Sequence, residues 1–319
     1  MPLQRLHLKN FRLFQDKTFK FSNGINLILG ENGSGKTTVL ESLNILITGN
    51  SFRSKETKEC IHSDKEFYNV SAKGIFRGKD LSLVVENNHN KRLFSKRMLG
   101  ELSVKKGDLY FLQVVLAKNL KMIDGEPEIR REFFNDLMFH VKPEIKKLHN
   151  AYQKALKQRN RALKKGLSTS EVSLWSKNLS ALGLELSLEQ YNFFKIFKEH
   201  TLESMEKNVS NGSFNYLDKL SLTFSKGWER SKKLEESLLE CLERDMALGY
   251  TSKGPHRMDF TFSVKNKRAS SNLSRGQLKI LILLVFLSSI QLLKDLVDTE
   301  TLLMIDDLGS ELDLNNLTS

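Results

Sequence analysis

The sequence predicts an α/β fold interrupted by a mainly helical second lobe. Three observations carry this expectation. Near the N-terminus the strand-like run Ile25-Asn26-Leu27-Ile28-Leu29 meets a glycine-rich loop and then apolar residues at helical spacing. Near the C-terminus a second apolar run, Thr301 to Ile305, ends on Asp306 and Asp307. Between the two, from roughly residue 128 to 248, the periodicity turns helical. The expected division is therefore 1–125 and 249–319 as two parts of one α/β unit, with 126–248 inserted between them.

The elements follow in order. Thr18 to Phe21 and Ile25 to Leu29 read as strands joined by a Ser22-Asn23-Gly24 turn. Val39, Leu40, Leu43 and Ile47 then recur at helical spacing, and Gly49 closes that helix. Tyr68 to Phe76 and Leu81 to Glu86 are further strands, the latter paired with Leu93-Phe94 in an antiparallel hairpin. Pro143 is placed to open a long helix. At about 100° per residue, Ile145, Leu148, Tyr152, Ala155, Leu156 and Leu163 fall on one arc of it, and Lys146, Lys147, Lys154, Lys157, Arg161, Lys164 and Lys165 on the opposite arc. Leu174 to Phe197 suggests a second helix, with Phe193, Phe194 and Phe197 inside the lobe, and Leu234 to Leu248 a third. Strand alternation returns at Asp259 to Val264, and no repeat of 20 to 50 residues is visible.

Composition narrows the function classes. Hydrophobic residues at 39% and charged residues at 28% of 319 exclude wholesale disorder. Cys60 and Cys241 are the only cysteines, so a disulfide framework and a cysteine-rich zinc site are both excluded, and a reducing cytoplasm fits. Met1 to Phe14 lacks the pattern of a secretory signal. Ile280 to Leu293 is shorter than the about 20 residues a bilayer needs, so it reads as a buried helix and no membrane partner is expected. The excess of 50 Lys and Arg over 38 Asp and Glu, a net charge of +12, favours a polyanionic partner. That excess is concentrated: nine basic residues face one acid, Glu144, between Val141 and Gly166. The basic arc is the candidate DNA-contact surface, with sequence-independent binding to phosphates.

The chemistry-bearing run is Gly30-Glu31-Asn32-Gly33-Ser34-Gly35-Lys36-Thr37, followed by Thr38. It fits G-x-x-x-x-G-K-[ST] between a strand and a helix, where backbone N–H groups and a helix N-terminus cradle phosphates. Lys36 would reach the β/γ-phosphates of ATP and Thr37 would hold Mg²⁺. A carboxylate fixed at the end of a buried strand completes such a site, so Asp306 would take the metal and Asp307 would polarise the attacking water. The seven histidines show no H-x-x-x-H spacing, so no metal beyond Mg²⁺ is suggested. Arg53, after the first helix, reads as a surface arginine within reach of DNA or nucleotide.

Leu273-Ser274-Arg275-Gly276-Gln277 resembles the L-S-G-G-Q motif of ABC-type ATPases, with Arg275 in place of the first glycine. The resemblance implies that Ser274, Gly276 and Gln277 cap the nucleotide bound by an opposite subunit, giving an ATP-dependent homodimer. It also implies a D-loop at Ser310-Glu311-Leu312-Asp313 and a Q-loop glutamine, a third metal ligand, at Gln113, although Ala117-Lys118 stands where Pro-Glu is usual. Lys36 and Ser274 lie much further apart than in transporter nucleotide-binding domains, and the insert is too short for an SMC-type coiled coil.

Beyond these motifs the chain resembles the RecF family of bacterial recombination mediators. The resemblance rests on Leu8-Lys9-Asn10-Phe11-Arg12, Asp124 to Arg131, Gln158-Arg159-Asn160, Gly254-Pro255-His256-Arg257, Leu273 to Lys279 and Asp306-Asp307. It implies an ABC-type P-loop head with a helical lobe II, slow hydrolysis of ATP, and binding to duplex DNA near single-strand gaps. RecR, RecO and RecA loading are the implied partners and task. The family continues for several tens of residues past the position of Ser319, so a DNA clamp with negligible turnover stands beside the hydrolytic reading.

Overall fold

The computed structural model describes residues 3–88, 94–105, 109–116, 119, 121–210 and 214–306, without the side chains of 208–210. In chain order the elements are β1 (Leu3–Phe11), β2 (Phe14–Lys20), α1 (Lys36–Thr48), β3 (Phe67–Phe76), β4 (Lys79–Asn88), β5 (Phe94–Leu99), β6 (Leu102–Ser103) and β7 (Phe111–Val115). They continue with α2 (Lys121–Asp124), α3 (Pro127–Val141), α4 (Pro143–Lys164), α5 (Thr169–Ser210), β8 (Leu220–Ser225), α6 (Leu234–Glu240) and α7 (Leu242–Leu248). The last are β9 (Asp259–Val264), β10 (Lys267–Arg268), α8 (Ala269–Asn272), α9 (Arg275–Val297) and β11 (Thr301–Ile305). Among the described residues two compact units result, one from residues 3–116 with 299–306 and the other from residues 119–298.

In the first unit an antiparallel sheet has the strand order β2-β1-β3-β4-β5-β6. Alternation along β1 decides its faces: Leu6 and Leu8 are fully buried while Arg5 and Lys9 are exposed. The buried face packs with Val39, Leu43 and Ile45 to Ile47 of α1, and with Tyr68, Val70, Leu83 and Val85. β7 and β11 form a separate parallel pair whose Leu112, Val114, Leu302 and Met304 join the same core.

One expected strand does not form. Residues 25–29 belong to none of the described sheets, and Ile25, Leu27 and Leu29 are 96, 77 and 80% exposed. Only Ile28 of the run's hydrophobic residues packs on the core. Apolar alternation encodes a surface suited to a sheet, but a strand also needs a hydrogen-bonding neighbour, and among the described residues this run has none.

The second unit is built on helices. α5 runs for 42 residues, a rod of about 63 Å at 1.5 Å per residue. α4 turns Ile145, Tyr152, Ala155, Leu156 and Leu163 inward, as its periodicity predicted. A small antiparallel sheet, β10-β9-β8, supplies Phe260, whose ring packs 5.7 Å from Phe197 and 5.7 Å from Phe134. Phe193 and Phe197 are fully buried there and Phe194 nearly so. The expected third helix is two helices broken at Cys241, whose amide bonds back to both Ser237 and Leu239. β8 reads Leu220-Ser221-Leu222-Thr223-Phe224-Ser225, a period-2 strand signal beyond the expected elements, and it pairs with β9.

The division also differs from the expected boundary at 249. β9 is hydrogen-bonded to β8, and α9 packs along α5 and α3, so both lie in the second unit. Only β11 returns to the first. α9 is apolar and long enough to cross a membrane by composition, but more than half of its most apolar window is buried in the unit.

Candidate nucleotide-binding site

The glycine-rich loop leads directly into α1, with Gly35 as its N-cap in the left-handed region at φ +99°. A Cβ there would lie 2.6 Å from the ring of Phe14, so both conformation and space require glycine. The free amides of the first helical turn face the loop mouth, a ready cradle for an anion. Lys36 folds back over the loop, its Nζ donating to the carbonyls of Gly30 at 2.7 Å and Glu31 at 2.9 Å. Glu31 to Ser34 are exposed, whereas Thr38 is buried beneath them.

Asp306 sits one residue beyond β11, and its amide donates to Val115 at the end of β7. The parallel pair thus delivers its carboxylate to the start of α1. There the Thr37 hydroxyl lies 3.0 Å from Oδ2 and 3.1 Å from Oδ1. A hydroxyl and a carboxylate are the hard oxygen donors that Mg²⁺ takes alongside waters and phosphate oxygens. Lys36 and the helix dipole add the positive potential a triphosphate needs.

Gln113 is not brought to that contact. The register pairs it with Leu303, two positions before Ile305, and it is 4% exposed in mid-strand, so Val115 is the β7 residue that meets Asp306. Asp307, Ala117-Lys118 and Ser310 to Asp313 lie outside the described residues.

A residue the motifs did not single out anchors α1. Glu41 is fully buried and receives Arg12 in a fork, Nη2 to Oε1 at 2.7 Å and Nε to Oε2 at 3.1 Å, together with the Ser51 hydroxyl. Burial pushes the Glu41 carboxyl up, and the hydrogen bonds from Arg12 and Ser51 outweigh it, holding it below the usual range. Arg53 stands 3.5 Å from the same carboxylate and remains a surface arginine, its side chain 46% exposed. The neighbouring Cys60 thiol is pushed up to about 12, chiefly by burial, and stays protonated. An acid among the apolar residues of α1 was the available signal for Glu41.

In the second unit, Ser274 caps α9: its hydroxyl accepts from the Gln277 amide, and the Gln277 side chain accepts from the Ser274 amide. Gly276 lies in that first turn. Lys146, Lys147, Lys154, Lys157, Arg161, Lys164 and Lys165 are all exposed on α4, and none forms an ion pair among the described residues. Arg159, in the same basic run, is instead fully buried against Asp245.

The matching family model is the AAA domain, over residues 5–293. A DNA replication and repair protein RecF from Pseudoalteromonas translucida is 33% identical over 98% of this chain and 85% of its own length. The chain belongs to the RecF family. Another RecF, from Teredinibacter turnerae, is 31% identical over 99% of this chain and 84% of its own. A solved structure described as the recombination mediator protein RecF-ATP in the RecFOR pathway has a TM-score of 0.78 at 22% identity, covering 99% of this chain and 87% of that one. The fold is thus that of an α/β P-loop ATPase.

The stretches that carry the RecF resemblance have a packing rationale here. Arg130 forks onto Asp259 at 2.7 and 3.0 Å and also donates to the carbonyls of Met122 and Gly125, closing α3 onto β9. Arg159 donates to Asp245 and Thr251 at 2.7 Å and to Ser176 at 2.8 Å. Asn160 accepts from the amide and hydroxyl of Thr251. His256 Nε2 lies 3.1 Å from the Thr251 carbonyl, which can only accept, so Nε2 carries the hydrogen and Nδ1 accepts from the Tyr152 hydroxyl at 2.6 Å. Gly254, at φ +140°, has no room for a Cβ, which would lie 2.6 Å from that hydroxyl. Arg159 and Asn160 on one side and His256 on the other thus converge on Thr251, which joins the two stretches.

Proposed function

We propose that the protein is an ATP-dependent, DNA-binding mediator of recombination and repair. The observation that carries the reading is the meeting of Thr37 and Asp306 at the mouth of the Gly30 to Thr37 loop. The loop amides and Lys36 would bind the triphosphate, and Thr37 and Asp306 would hold its Mg²⁺. ATP supplies the phosphoanhydride bond, and Mg²⁺ neutralises charge on its oxygens. Asp307 is the candidate for orienting water in a slow, DNA-stimulated hydrolysis.

Ser274, Gly276 and Gln277 would complete the site of a second copy, so nucleotide would join two chains. The ordered turn at Ser274 supports this, because its capping box fixes Ser274, Gly276 and Gln277 together at the start of α9. The exposed cations of α4 support contact with duplex DNA near single-strand gaps. The family, and the placing of a structurally similar RecF in the RecFOR pathway, support work beside RecO and RecR, and the loading of RecA in the cytoplasm belongs to the same proposal.

The test is Lys36→Ala. It is expected to abolish dimerisation with Mg²⁺ and a non-cleavable ATP analogue in light scattering, while circular dichroism stays that of the wild type. Wild-type protein that remains monomeric under saturating analogue overturns the proposal.

A further inference from the structure

The outer face of the six-stranded sheet carries a row of like charges that the nucleotide site does not use. Lys20 of β2 and Lys73 of β3 stand directly opposite Arg5, one on each side of β1. All three are exposed, and none has an ion pair or a side-chain hydrogen bond among the described residues. With strands about 4.8 Å apart, the three cations span about 10 Å.

Like charges directly opposite one another destabilise a sheet, and opposite charges stabilise it. The same face follows that rule elsewhere, where Lys9 stands opposite Asp16. The acids on the face are committed or displaced: Asp16 lies 3.1 Å from His7, Glu86 accepts from Asn69, and Asp80 stands opposite Ile75, one row beyond Lys73. Lys96, opposite Val84, adds a further cation. Arg5, His7, Asp16, Thr18, Ser71 and Lys73 line a shallow depression at the centre, two cations and an imidazole against the one carboxylate that His7 engages.

We propose that this face is a second nucleic-acid surface, holding the sugar-phosphate backbone by charge and not by base edges. A row of about 10 Å covers about three steps of one strand at 3.4 Å of axial rise each. Short hydroxyl side chains border the row, Thr18 and Ser71 beside His7 in the next row and Ser82 opposite Lys73, and are the neutral donors that accompany Arg and Lys at phosphates. A membrane surface would call for a continuous apolar band beside the cations, whereas Ile75, Val84 and Met98 on this face are interspersed with Thr18, His7, Ser71, Asp80 and Ser82. The inference rests on the DNA-binding reading but uses a different unit of the protein from α4.

The experiment compares wild-type protein with the triple variant Arg5→Gln, Lys20→Gln, Lys73→Gln on a duplex oligonucleotide across a salt series. The variant is expected to bind about tenfold more weakly, with a slope of log affinity against log salt shallower by about two to three. Its melting temperature should equal or exceed that of the wild type, since a repulsive row is removed. Arg5→Lys alone should keep the wild-type slope. An unchanged slope in the triple variant, with the wild type binding DNA, overturns this surface and leaves the DNA-binding reading intact. Wild-type protein that binds no DNA overturns both. Capture by phosphatidylserine vesicles, lost in the triple variant and without DNA affinity, overturns it in favour of a membrane.

Discussion

Arg159 and Asp245 form an ion pair of 2.7 Å in which both side chains are fully buried, joining α4 to α7. Arg159 Nε and Nη1 also engage Ser176 and Thr251, so protein groups replace water at these two nitrogens, while Nη2 is buried without a partner among the described residues. Removing one partner leaves the other charge without compensation in a dry site, which costs about 3–5 kcal/mol. Asp245→Ala is therefore expected to lower unfolding free energy by that amount in urea titration. Changing any of the seven exposed α4 cations should move it by less than about 0.5 kcal/mol.

His256 gives the same region a pH dependence. Burial, aided by the charges of Arg257 and Arg131, lowers its pKa to about 4, against the hydrogen bond to Thr251. The unfolded chain titrates near 6.5. Between these values the unfolded state binds more protons, so stability is full above about pH 6.5 and falls as pH drops towards 4. Urea unfolding at pH 7 and pH 5 should show a loss at pH 5 that shrinks in His256→Gln.

At the loop mouth, Thr37→Val and Asp306→Asn should each weaken binding of a fluorescent ATP analogue about tenfold or more with Mg²⁺ and little in EDTA. Because both residues would act on one ion, the double variant should cost no more than the worse single one. Equal weakening in EDTA would remove the metal from the explanation.

On α4, reversing Lys154, Lys157 and Arg161 to Glu should make the salt slope of DNA binding shallower by several units. An unaltered slope would relegate this face to a solvated surface.

How much of this was legible beforehand differs from residue to residue. The inward and outward arcs of α4 were, because helical periodicity is local. The span of β9 was, because its apolar alternation matches its burial. Thr37 and Asp306 were recognisable as types, though only parallel pairing of β11 with β7 brings them together. Arg159 was read as part of a basic run, since composition cannot reveal a carboxylate 86 positions away. The role of His256 was likewise hidden, its hydroxyl partner Tyr152 being 104 positions earlier. Residues 25–29 failed in the opposite direction: their local pattern was right for a strand, and the described sheets provide no neighbour.

The Lys36 ammonium resting on the Gly30 and Glu31 carbonyls sets a threshold for entry. An incoming ligand displaces two good neutral acceptors, so it must offer a charged oxygen within reach of the same nitrogen. A nucleoside, or a monophosphate too short to arrive there, has nothing to exchange and leaves the latch shut. On the proposed function, discrimination by phosphate-chain length would begin in the resting loop itself.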